Sequence, residues 1–215
     1  MALIFILSFI QGVAEFLPIS SSSHLIIISK YYNFSHQGLL LDVSLHIGSF
    51  LAVISYFYRD LINFFQNREL FFKIFIASVP VMIVGFFLVK TNLIVYLRNI
   101  EIIGWTTLIF GIFLYISDRF KLENNVKDDL NFKSVILIGF FQVLSLIPGV
   151  SRSGITISAA RILKFKRYDA AKISFLLSIP TLGAVSVYGL GNIIVTKDVD
   201  FSALNLTAIF LSLGK

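Results

Sequence analysis

Apolar runs close to the length needed to cross a bilayer recur along the whole chain, and this constrains its fold more than any motif does. Such stretches lie at about 39–58, 70–89, 100–117 and 170–195, and a membrane helix needs roughly 20 mostly apolar residues. Two further apolar regions, 1–29 and 133–163, are long enough but interrupted. The first is broken by Glu15, Pro18 and the run Ser20, Ser21, Ser22, Ser23, His24; the second by Pro148, Gly149, Ser151, Arg152, Ser153 and Gly154. Non-helical backbone at membrane depth is tolerated only where protein or a wet cavity satisfies it, so both breaks are expected at a site. Composition agrees, with 57% hydrophobic residues, 14% charged residues and a mean hydropathy of +0.88. Soluble domains carry about a quarter charged residues. The 23 Phe and the Ile, Leu and Val runs are spread throughout, so one cleavable leader does not account for the excess.

Loop charges set the expected topology, because Lys and Arg accumulate on the cytoplasmic side. If both interrupted regions are re-entrant, three basic loops fall on one side. They carry Arg59, Arg68 and Lys73; Arg119, Lys121, Lys127 and Lys133; and Arg161, Lys164, Lys166, Arg167 and Lys172. The other side receives only Lys30, Lys90, Arg98 and Lys197. The two broken segments then enter from opposite faces. Pro18, Ser21 and Ser23 match Pro148, Ser151 and Ser153 at one constant offset, with Val13 over Val143, a weak echo of an inverted repeat. The expected fold is therefore all-α, a polytopic membrane helix bundle with two re-entrant broken-helix segments and an inverted-topology repeat. Residues 1–215 form one membrane domain, with repeat 1 at about 1–117 and repeat 2 at about 133–215. Repeat 2 reads as truncated, since only about 13 apolar residues follow Ser202, too few to span.

Cysteine is absent, so disulfides and thiolate metal sites are excluded and any metal must be held by oxygen or imidazole. The net charge of +6 and pI near 9.6 fit basic loops against anionic lipid headgroups. A nucleic-acid partner is not expected, since no soluble basic domain remains once the spans are removed.

The polar breaks carry the chemistry. A carboxylate at membrane depth demands a partner, and Gln11 and Glu15, four apart on one helical face, can point two oxygen ligands at one ion. Pro18 ends that helix, and the serines offer hydroxyls or, taken singly, an ordinary N-cap. In the second break Arg152 presents a planar fork suited to phosphate oxygens, unless it merely snorkels from a Pro-Gly turn. A helix starting near Ser153 would add its dipole to an anion site, and Gly149 and Gly154 permit close approach. Asp42 and His46, also four apart, are secondary candidates that read more readily as an internal contact. A carboxylate, hydroxyls, an imidazole and a guanidinium together suit phosphoryl transfer.

At these residues the chain resembles the undecaprenyl-diphosphatase, or bacitracin-resistance, family. Gln11, Glu15, Phe16, Leu17, Pro18, Ser20, Ser21 and His24 match its first motif, and Pro148 to Gly154 match its Pro-Gly-x-Ser-Arg-Ser-Gly motif. The resemblance covers nearly the whole chain. It implies hydrolysis of undecaprenyl diphosphate to the monophosphate, recycling the carrier lipid for cell-wall synthesis and conferring bacitracin resistance. It also implies a bacterial inner-membrane location with the site open to the outer face, and a divalent cation, Mg2+ or Ca2+. The implied partners are the polyprenyl diphosphate lipid, bilayer lipid and a second copy in a homodimer. Carried over by position, Glu15 with Gln11 holds the metal, or Glu15 acts as a base, and Arg152 binds phosphate. Ser21 or His24 is the nucleophile or its activator, and Ser20, Ser151, Ser153 and Thr156 line the phosphate pocket. Gln11 departs from the Glu of many relatives and removes one negative charge from the pair. A lipid flippase is the alternative, since carriers share inverted repeats and broken helices. A phosphatidic-acid-type phosphatase is disfavoured, because no His follows His46 and the Lys-x6-Arg-Pro signature is missing.

Overall fold

The computed structural model describes residues 2–33, 39–120 and 124–195. Regular structure there is helical apart from an isolated bridge between Asn124 and Phe165. The helices are α1 (Ala2–Ala14), α2 (Ser21–Tyr31), α3 (Leu39–Tyr56), α4 (Tyr58–Gln66), α5 (Arg68–Lys90), α6 (Leu93–Leu97) and α7 (Ile100–Ser117). They continue as α8 (Val126–Asp129), α9 (Phe132–Val143), α10 (Arg152–Ile162) and α11 (Arg167–Val195). The short C-terminal stretch expected after Ser202 lies outside the described residues.

Among the described residues, three helices are long and apolar enough to cross a membrane: α5, α7 and Arg167–Gly191 of α11. At ~1.5 Å per residue the 23 residues of α5 reach about 35 Å, more than a hydrocarbon core of ~30 Å. The apolar run expected at 39–58 behaves differently at its end. The chain bends by 82° between Leu41–Tyr56 and Tyr58–Gln66. Beyond Phe57 the pattern is amphipathic: Leu61 and Phe64 are buried while Arg59, Asp60, Ile62 and Phe65 are exposed. Such a helix lies along the end of a bundle rather than through it.

The interrupted regions double back. α1 and α2, with 13 and 11 residues, extend only about 20 and 16 Å, so neither crosses alone. Ile4 and Leu7 near the start of α1 share a core with Leu25 and Ile28 of α2, which makes the two helices antiparallel arms with the break at the tip. Val135 and Ile138 of α9 pack likewise with Ala159 and Ala160 of α10. The two hairpins open at opposite ends. The arms of the first sit against Leu41 and Leu45 in the opening turns of α3. Those of the second share a core with Leu61 and Phe64 of α4, beyond the far end of α3.

That far end also gathers the basic loops. Val126, Leu130 and Phe165 join the α4 core there, and Lys73 lies 5.9 Å from the Phe132 ring centroid. The 99% buried Arg161 donates from Nε to Asp118 Oδ1 at 2.9 Å and from Nη1 to the Phe165 carbonyl at 2.9 Å. Arg167 donates to Asp118 Oδ2 at 2.6 Å, and this bond holds the Asp118 carboxyl below the usual carboxylate range. The ends of α7 and α10 and the start of α11 are thereby tied together.

Candidate active site

Each hairpin tip ends one helix and caps the next. In the first, the Glu15 N–H still reaches the Gln11 carbonyl at 3.0 Å. The chain then leaves helical geometry before Pro18 and restarts with Ser20 as N-cap, accepting from the Ser23 N–H. In the second, α9 tightens into a 3-10 turn at Leu144–Leu146 and α10 restarts with Ser151 as N-cap, accepting from the Gly154 N–H. Between them Gly149 has a φ of +98°, and a Cβ there would sit 1.8 Å from Thr106 Oγ1. Thr106 donates to the Pro148 carbonyl at 2.7 Å, so α7 holds the turn in place.

The tips clasp each other. Ser151 Oγ donates to the Ile19 carbonyl at 3.0 Å and Ser153 Oγ to the Leu17 carbonyl. Backbone acceptors freed by one break are thus satisfied by hydroxyls of the other, as apolar surroundings require. At Gly154 an added Cβ would crowd Ser151 Cβ at 3.1 Å and touch the Pro18 carbonyl at 3.4 Å.

The charged centre spans this junction. Arg152 Nη2 lies 2.9 Å from Glu15 Oε1. Glu15 Oε2 accepts from Gln11 Nε2 at 2.7 Å and from Ser21 Oγ at 3.0 Å, and faces His46 Nε2 at 3.3 Å. His46 Nδ1 is 2.7 Å from the Asp42 carbonyl, which can only accept, so Nδ1 carries a proton. A cavity of about 180 Å³ opens beside these groups, lined by Glu15, Ser20, Ser21, Ser22, Ser151 and Arg152 among others. α5 and α11 pass it just after their internal Pro80 and Pro180, contributing Val81 and Thr181. Several buried polar atoms here have no hydrogen-bond partner among the described residues: Arg152 Nη1, Gln11 Oε1 and both amide atoms of the cavity-lining Gln142. Buried polar groups are rarely left unpaired, so the atoms of Arg152 and Gln142 at the cavity suit a polar ligand.

Gln11, Glu15, Ser20, Ser21, Ser151 and Arg152 therefore come together. Gln11 is fully buried behind Glu15 and does not itself line the cavity, and three further candidates stay away from it. His24 shares the exposed stripe of α2 with Ile27 and Tyr31, and its Nδ1 turns back to the Ser20 carbonyl at 2.7 Å. The imidazole at Glu15 is that of His46. Thr156 is fully buried and bonded to Ser174 Oγ at 2.8 Å, joining α10 to α11. Ser153 is spent on the clasp. Gln142, Ser145 and Thr181 line the cavity without having been singled out from sequence; for Gln142 the signal was an amide inside the otherwise apolar run of α9.

The donor set fits an oxygen-ligated divalent cation. The Glu15 carboxylate, the unpartnered Gln11 Oε1 and the Ser21 hydroxyl are hard donors. Among the described residues no three His, Asp or Glu side chains gather as a metal cage. Such a cation would draw its remaining ligands from substrate phosphate and water, as Mg2+ commonly does.

A helical bundle with two opposed half-crossing hairpins, meeting at a carboxylate, an arginine and a hydroxyl cluster, defines a polytopic membrane protein with a buried polar site. The chain belongs to the family described as bacitracin resistance protein BacA, which it matches over residues 4–214. It is 48% identical over 210 residues to the undecaprenyl-diphosphatase of Pelagibacter ubique (strain HTCC1062), covering 97% of this chain and 82% of that protein. It is 41% identical over 208 residues to the undecaprenyl-diphosphatase of Jannaschia sp. (strain CCS1), covering 91% of this chain and 78% of that one.

Proposed function

We propose that this protein hydrolyses undecaprenyl diphosphate to undecaprenyl phosphate and inorganic phosphate. The observation that carries it is the Arg152–Glu15 pair, which ties the start of α10 to the end of α1, with Arg152 Nη1 unspent beside a cavity that the first residues of α2 and α10 line. A guanidinium and two positive helix ends suit a diphosphate, and the apolar bundle suits its lipid tail.

Ser21 is the nucleophile on this reading, because its hydroxyl already donates to Glu15 Oε2. Its Oγ forms a bond to the terminal phosphorus while the bond from that phosphorus to the bridging oxygen breaks. The hydroxyl proton passes to Glu15 and on to the oxygen of the departing undecaprenyl phosphate, which regenerates the carboxylate. Water, deprotonated by that carboxylate, then attacks the seryl phosphate; the bond from phosphorus to Ser21 Oγ breaks, the proton returns to Oγ and orthophosphate is freed. Arg152 binds the equatorial oxygens, where charge accumulates. A divalent cation, Mg2+ or Ca2+, held by Gln11 and Glu15 would neutralise phosphoryl charge. Ser20 and Ser151 hold the two caps at the edge of the pocket.

The three basic loops share one end of the bundle, which supports a cytoplasmic position for that end in a bacterial inner membrane. The cavity then opens toward the outer face. The constant offset between the two serine motifs supports reading the opposed hairpins as an inverted-topology repeat.

Purified protein is expected to release phosphate from a long-chain polyprenyl diphosphate with added Mg2+. Arg152→Ala is expected to lower that rate by roughly 10²–10³, the scale set by loss of one preorganised oxyanion donor. No release by the parent protein would refute the proposal.

A further inference from the structure

Two arginines in this fold are half used in the same way. Arg152 spends Nη2 on Glu15 and leaves Nη1 buried without a hydrogen-bond partner among the described residues. Arg98, between α6 and α7, holds Nη1 at 2.7 Å from Asp42 Oδ2 and leaves Nη2 buried, likewise without such a partner. One turn of α3 connects the pairs: His46 Nδ1 sits on the Asp42 carbonyl, and His46 Nε2 faces Glu15. A second cavity, of about 420 Å³, shares His46, Ser22 and Ser145 with the first and extends to Asp42 and Arg98. The shared residues set the two spaces side by side along one cleft wall, with a carboxylate-paired guanidinium on each.

Most of the second cavity's remaining wall is apolar, with Met82, Phe86 and Val89 among its residues. Removing an ion pair from water there is costly unless the leftover donors are used. What Arg98 leaves over is a charged N–H donor, and the complement of a charged N–H donor is an oxyanion. Asp42 holds one arm of the guanidinium at Nη1, which leaves Nη2 for another acceptor. The cleft also leads away from the basic loops: α5 runs from Arg68 at that end to Lys90, and Arg98 follows.

We propose that Arg98, tethered by Asp42, forms a second oxyanion subsite, distinct from the Arg152 centre, that takes a phosphate group in the cleft. Its ligand chemistry is a phosphate with at least two terminal oxygens. Orthophosphate leaving the first site and the headgroup of a prenyl monophosphate both carry it. The inference rests on the phosphate-handling reading of the Arg152 site but requires no turnover.

The test is equilibrium binding of radiolabelled orthophosphate to the purified full chain in detergent, without substrate. The parent protein is expected to show two classes of site. Arg152→Gln removes one, and the charge-neutral pair Arg98→Gln with Asp42→Asn removes the other. Arg98→Lys, which keeps the charge and spares Asp42 an unpaired burial, is expected to weaken the second class by about 10-fold, since a lysine lacks the fork. Farnesyl phosphate as competitor separates the sources. Displacement from the Arg98 class means that the lipid headgroup uses the subsite; no displacement means that free phosphate alone does. Identical stoichiometry and affinity in the parent, the double variant and Arg98→Lys would overturn the proposal. Binding at Arg98 in a protein that hydrolyses no polyprenyl diphosphate would instead sink the hydrolase reading and leave this one standing.

Discussion

Glu15 is held by more partners than a carboxylate needs. One oxygen faces Arg152, and the other is shared by Gln11, Ser21 and His46. Because Ser21 and His46 meet the same oxygen, His46 is a positioning residue in the proposed mechanism: it holds Oε2 where the serine proton would arrive. Removing a partner from a buried carboxylate costs ~1–3 kcal/mol, so losing the imidazole should cost about 10-fold or more. His46→Leu is expected to lower kcat by about that factor with little change in KM. His46→Gln, whose amide can still donate, should recover most of the rate. Equal losses in the two variants would show that shape rather than the donor matters. Glu15 and Arg152 were legible in the sequence because an ionisable group at membrane depth is costly and must be compensated. Which imidazole lies beside Glu15 was not. His24 adjoins the serines in sequence, but helical phase places it with Ile27 and Tyr31, while His46 reaches Glu15 across 31 positions that no local pattern links.

At the scale of elements, α5, α7 and α11 could be read from apolar length alone, because a bilayer demands that length whatever packs around it. The bend after Tyr56 could not, since the apolar run continues through it and only the amphipathic phase of α4 turns the chain aside. The same blindness covers close packing. On α9, a Cβ added at Gly139 would lie 2.5 Å from the Ala77 carbonyl oxygen of α5. Small residues let membrane helices approach where lipid supplies no hydrophobic drive. Gly139→Val is therefore expected to push α9 off α5 and destabilise the protein by ~1–3 kcal/mol, the usual cost of overpacking. Gly111→Val on α7, where nothing lies within 4 Å of an added Cβ, should be nearly neutral. Thermal unfolding in detergent distinguishes them. Equal midpoints for the two variants would mean that the α5–α9 contact yields without cost.

For the whole molecule, the question is which way the bundle faces. Opposed hairpins can bring a site to mid-membrane from either orientation, so the polarity rests on charge alone. Lys166 is exposed beside Phe165 at the basic end, and Lys90 is exposed at the far end of α5. If the basic end faces the cytoplasm, the cleft past Arg98 faces outward, where a lipid diphosphate would have to be presented. The chain contains no cysteine, so a single introduced thiol reports its own side without background. Lys90→Cys should react with a membrane-impermeant maleimide in intact spheroplasts, and Lys166→Cys only after permeabilisation. The opposite pattern would leave the clasped tips and the Glu15–Arg152 pair as they are but turn the cleft to the cytoplasm, and the proposed outward-facing hydrolysis would fail on access rather than on chemistry.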